Sequence, residues 1–154
     1  MIFVLPLIVA GCGIAGEKQP QAVGESPNDV WKVKIIGDDP RILVHASFGV
    51  AMEAPIRGTL IYDNAKKCLL IKDWNGPNRH GLPVWRQGTE PVYENHRRGV
   101  KVSSGDVIFD GHQFAASGGS MAADKIGMKE VDLANLCKFN FEYPMIINGD
   151  AHRV

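Results

Sequence analysis

Short apolar runs, each cut off within a few residues by Gly, Pro, Asn or Asp, dominate this chain and leave little room for long helices. An amphipathic helix needs a 3.6-residue period sustained over ten or more positions, whereas short alternating runs bounded by turn residues read as strands. Val30-Trp31-Lys32-Val33-Lys34-Ile35 alternates with period two, and Asp38-Asp39-Pro40 supplies a turn after it. Ile42-Leu43-Val44-His45-Ala46 forms a second run, and Arg57 to Tyr62 a third, closed by Asp63-Asn64. Cys68-Leu69-Leu70-Ile71 then returns as its hairpin partner. Trp74 to Gly81 is a loop dense in Asn, Gly and Pro. Leu82-Pro83-Val84-Trp85 follows, its proline confining it to a strand start or a sheet edge. Gln87 to Pro91 reads as a turn. Gly99 to Val102 and Asp106 to Asp110 flank the tight turn Ser103-Ser104-Gly105. Gln113 to Ala116 is a further strand, expected to end at Gly118-Gly119, and Tyr143 to Ile147 a closing one. Helical character is confined to part of Met121 to Leu136, with a short helix expected near Val131 to Leu136. The fold class is therefore all-β, a small barrel or sandwich with one short helix near the C-terminus.

The chain has 154 residues, enough for one domain. Its 17 Gly and 9 Pro suit many turns. Lys plus Arg equals Asp plus Glu, at 17 each, so neither a nucleic-acid footprint nor a polybasic membrane patch is expected. Gly13 to Asn28 is polar and rich in Gly, Gln, Glu and Pro, as in a flexible tether. The domain organisation expected is a leader at residues 1–11, a tether at 12–29 and one β-rich domain at 30–154.

At the N-terminus, an apolar stretch from Ile2 to Ala10 ends in Val9-Ala10-Gly11-Cys12. A short apolar segment ending in small residues is the pattern of a secretory signal, and it is too short to span a bilayer, which takes about 20 apolar residues. Pro6, Gly11 and Gly13 argue against a first strand here. The four residues resemble the lipobox of bacterial lipoproteins, although no Lys or Arg precedes the apolar run. The resemblance implies cleavage before Cys12 and lipidation of its thiol. It also implies export, with anchoring to the bacterial cell membrane or outer membrane. Each buried CH₂ contributes roughly 0.8 kcal/mol, so two or more acyl chains would hold the protein firmly.

With Cys12 lipidated, Cys68 and Cys137 remain as an even pair. A disulfide between them suits an exported protein, the alternative being two separate buried thiols.

From Arg57 to Gly119 the chain also resembles a family of small bacterial exported or lipid-anchored β-domains. The likeness lies in Gly58-Thr59-Leu60, Cys68-Leu69, Val84-Trp85 with Gly88-Thr89, Gly99-Val100, Gly105-Asp106, Gly118-Gly119 and a late Cys137. It departs at Trp85-Arg86-Gln87-Gly88, where Trp-Pro-x-Gly would be expected. It implies fold and location, and carries no activity.

Chemistry-bearing patterns are sparse. His45, His80, His96, His112 and His152 show no metal-ligand spacing, so no metal or cofactor is expected. Ser117-Gly118-Gly119-Ser120 is not a nucleophile elbow. The acidic pairs Asp38-Asp39 and Asp106/Asp110 sit at turns, where carboxylates are usually solvated. Aromatics beside arginines in the central region, Trp74, Arg79, Trp85 and Arg86 with Tyr93, Arg97 and Arg98 nearby, could stack on sugars or an extended polymer. A barrel resembling the oligosaccharide/oligonucleotide-binding (OB) type would present such a face. The expected function is a non-enzymatic binding or structural module of the cell envelope, its partners the membrane through the lipid and an envelope polymer or protein. The alternative is an envelope hydrolase or metal-dependent enzyme using the histidines.

Overall fold

The structure, a computed structural model, describes residues 33–46, 52–74, 76–128, 136–137 and 144–154. Cys12, the leader, the tether, Trp31 and residues 131–135 of the expected helix lie outside the described residues.

The described chain is almost entirely β. In order come β1 (Val33–Ile36), β2 (Ile42–His45), β3 (Ala54–Asp63), β4 (Cys68–Lys72), β5 (His80–Gly81) and β6 (Pro83–Arg86). Then follow β7 (Glu90–Glu94), β8 (Arg97–Lys101), β9 (Val107–Phe109), β10 (Gln113–Ser120), β11 (Met145–Ile147) and β12 (His152–Arg153). The main sheet runs β1-β2-β6-β11-β10-β3-β4-β5, with β12 also on β10; β7, β8 and β9 form a second, three-stranded sheet.

Two features bend the main sheet. β3 pairs with β10 along Ala54–Thr59 and with β4 along Thr59–Asp63, so it changes neighbours at mid-length. Arg41, just before β2, bridges to Cys68 at the start of β4, and its amide donates to the Lys67 carbonyl at 2.6 Å. Its guanidinium also donates to the Lys66 carbonyl. β2 and β4 lie far apart in strand order, so this contact means that the sheet curls round on itself as a half-barrel.

The curl has two buried faces. Along β2, Ile42 and Val44 point inward while Leu43 points outward; Leu69 and Ile71 alternate with Cys68 and Leu70, and Trp85 with Val84. Inside, Trp85 packs at 5.7 Å from Phe114, and the second sheet adds Val100 and Ile108. Outside, Ala123, Ile126, Leu136 and Cys137 cover Leu43, Leu70, Val84 and Ile146. β6 pairs in parallel with both β2 and β11. Parallel strands buried on both faces are apolar without interruption, which is why these segments read as continuous runs.

Several expectations are met, and others are displaced for local reasons. β3 and β4 are antiparallel partners, and Pro83 opens β6, although β6 lies in the sheet interior rather than at an edge. β10 runs through Gly118-Gly119 instead of ending there. A Cβ on Gly118 would collide with the Ile146 carbonyl oxygen, so glycine is what lets β10 and β11 approach. Glu90 and Pro91 belong to β7, whose hairpin turn uses Asn95 and His96 at φ 49° and 62°. Two consecutive positive φ values suit the right-handed twist of a hairpin. Among the described residues the late helical element is a 3-10 turn, Ala123–Ile126, closed by Gly127 at φ 72°.

Candidate functional site

Cys68 stands on the outer face of β4, beneath the covering segment, and is bonded to Cys137 with Cα atoms 5.9 Å apart. That separation lies within the range a disulfide requires. The bond fastens the covering layer to the sheet it shields.

A second cluster joins the two sheets. Arg98 of β8 grips Asp39 of the β1–β2 turn with two bonds, Nε to Oδ1 at 2.6 Å and an η-nitrogen to Oδ2 at 2.9 Å. The Tyr62 hydroxyl of β3 donates to the same Oδ1 at 2.7 Å. The guanidinium lies 4.5 Å from the Tyr62 ring centroid and 4.6 Å from that of Tyr93. Hydrogen bonds from Arg98, then from Tyr62, hold the Asp39 carboxyl at about 2. Burial, reinforced by the bond to Asp39, pushes the Tyr62 phenol up to about 12. Arg98 is raised further by Asp39. With Nε and one η-nitrogen bonded to Asp39 and two rings against its plane, Arg98 serves as a structural clamp. Asp39 is thus the carboxylate of an ion pair, a role that its neighbour Asp38 does not share among the described residues.

The aromatic and arginine candidates separate. Trp85 is fully buried in the inner core and presents no ring face to solvent. Arg86 is exposed at the far end of β6, opposite His45. Trp74 packs against the inner core from the β4–β5 loop, and Arg79 stacks over it at 5.3 Å. Trp74 and Arg79 are therefore together, without Trp85 or Arg86. Arg97 stacks on Phe109 at 4.9 Å and donates to the Asp110 carbonyl.

The histidines are dispersed. His45 is buried, its ring nitrogens 2.7 Å from the Ala46 carbonyl and 3.0 Å from that of Ile147. His96 tips the β7–β8 hairpin, and His112 accepts the Phe109 amide on Nδ1 at 3.2 Å. Burial, then Arg97 and Arg153, lowers the His112 pKa. Among the described residues, no three His, Cys, Asp or Glu side chains converge as a metal site would require.

One cleft opens where β3 meets β10, with a volume of about 270 Å³. Arg57, Thr59, Asp73, Gln113 and Val154 line it, with Gly58 and Phe114 beneath. The signal for it lay in the polar residues that alternate with buried ones along β3 and β10. The comparisons with known proteins return no match for this chain among protein families, curated proteins or solved structures.

Proposed function

We propose that the chain is an exported bacterial lipoprotein. Residues 1–11 are its signal, Cys12 its lipidated anchor and residues 12–29 its tether. The β domain acts outside the cytosol, on the bacterial cell membrane or outer membrane, as a non-enzymatic module that binds an envelope polymer or partner protein.

The Cys68–Cys137 bond carries this reading. Disulfides persist in oxidising compartments. With two of the three cysteines paired, the odd one is Cys12, at the end of the lipobox-like Val9-Ala10-Gly11-Cys12. A lipid would also supply the membrane attachment, since among the described residues no helix is long and apolar enough to cross a bilayer.

Non-reducing mass spectrometry of protein extracted from bacterial membranes tests the proposal. The expected result is a mature N-terminus at Cys12 carrying a diacylglyceryl mass, together with a linked peptide joining Cys68 to Cys137. Cys12→Ala moves the protein out of the membrane fraction. A chain that keeps Met1, carries no lipid and has free thiols at 68 and 137 overturns it.

A further inference from the structure

The covering layer shields only part of the sheet's outer face. It reaches Ile61 and Leu70, which are opposite each other on β3 and β4, and leaves the next outward row open. Residues directly opposite in antiparallel strands share a face. Register therefore places Arg57, Ala115 and His152 in one row across β3, β10 and β12. Gln113, Thr59 and Lys72 form the adjacent row across β10, β3 and β4, into which the Val154 amide bonds through the Gln113 carbonyl. Asp73 follows β4 at one end of this platform.

From this arrangement we infer that the cleft between β3 and β10 binds a carboxylate-bearing saccharide. Its volume of about 270 Å³ is near the lower end of small-molecule sites, roughly 300–1,000 Å³, and suits a single sugar unit. Its rim mixes donors and acceptors. Gln113 supplies both, Thr59 a hydroxyl, and Asp73 a carboxylate already oriented by the Asn78 amide at 2.7 Å. Sugar hydroxyls, which donate and accept at once, match such a rim. Val154 supplies an apolar wall for the C–H face of a ring.

Arg57 supplies the preference for an acid. Among the described residues its guanidinium has neither a hydrogen-bond nor an ion-pair partner, in contrast to Arg41, Arg97 and Arg98. A free planar guanidinium beside hydroxyl-binding groups matches a carboxylate in a two-bond grip. Lys72 stands 3.9 Å from Asp73 and offsets its charge, so among the described residues Arg57 is the rim cation left to meet a ligand's carboxylate. The inference deepens the envelope-binding reading and takes from it the source of the ligand.

The test is an amide-resolved NMR titration of the full oxidised chain with sodium glucuronate and with N-acetylmuramic acid. Glucose, N-acetylglucosamine and sodium acetate are the comparison probes. Saturable shifts are expected at Arg57–Thr59, Asp73 and Gln113, with either acid sugar binding about tenfold more tightly than its neutral counterpart or acetate. Arg57→Ala weakens the acid sugars about tenfold and removes the preference, whereas Lys125→Ala on the 3-10 turn changes nothing. Absence of saturable shifts at these amides overturns the inference. So does equal binding of neutral sugars, or acetate reproducing the whole response. An unlipidated Cys12 with a positive titration would remove the anchor and leave the cleft. A lipidated Cys12 with a negative titration would do the reverse.

Discussion

Breaking the Cys68–Cys137 bond tests the link between cross-linking and the two-faced core. The bond joins residues 69 apart in sequence. In the chain-entropy model, closing a loop of that length removes about 15 cal/mol/K from the unfolded ensemble, or about 4 kcal/mol at 25 °C. Small domains are stable by only about 5–15 kcal/mol, so this is a large share. Both cysteines are almost fully buried on the outer face, so their sulfurs also fill space against Leu70 and Leu136. Reduction removes the cross-link alone, while Cys68→Ala with Cys137→Ala removes the sulfur volume as well. Thermal unfolding followed by calorimetry should show the reduced protein melting roughly 10–20 °C below the oxidised one, with the double variant lower still. Hydrogen exchange should be fastest in the covering layer, at the Met128 amide that bonds the Ala123 carbonyl. A reduced protein melting within about 3 °C of the oxidised form would refute the argument that this bond holds the outer layer in place.

Acid should weaken the fold in two stages. The His112 pKa is lowered from 6.5, so the unfolded state binds the extra proton first and stability falls as pH drops below 6.5. Asp39 is lowered from 3.8 to about 2, so its contribution is complete above 3.8 and is lost as pH falls toward 2. Urea melts across pH should show both stages, and Asp39→Asn should erase the second; an unchanged acid limb in that variant counts against the clamp. Gly118→Ala should cost about 1–3 kcal/mol in the same assay, because its Cβ meets the Ile146 carbonyl, and a neutral result would mean that β10 and β11 are less closely apposed.

Much of the β character was legible in local patterns. The β3–β4 hairpin, the strand start at Pro83 and the turn at Ser103-Ser104-Gly105 follow from alternation and turn chemistry. β7 was not legible, because Glu90 and Pro91 look like turn residues, and with Val92 only half-buried and Tyr93 exposed neither face demands an apolar pattern. Gly118-Gly119 looked like a stop, whereas the close approach of β11 makes glycine the residue that allows β10 to continue. For the candidate site, the alternation of Arg57 and Thr59 with Ile56 and Leu60 marked an exposed row, but not what stood opposite it.

Chain-local chemistry thus determined the all-β class, most strand positions and the three cysteines from which one pair could form. Only the tertiary structure decided which of two similar tryptophans was sealed in the core and which lay under Arg79. It also matched Arg98 to Asp39, 59 residues away, and set Arg57 on the rim of the cleft between β3 and β10. The physical reason is that a side chain's partner depends on strand register and sheet curl. Both are set by contacts between segments far apart in the chain, where a local pattern carries no information.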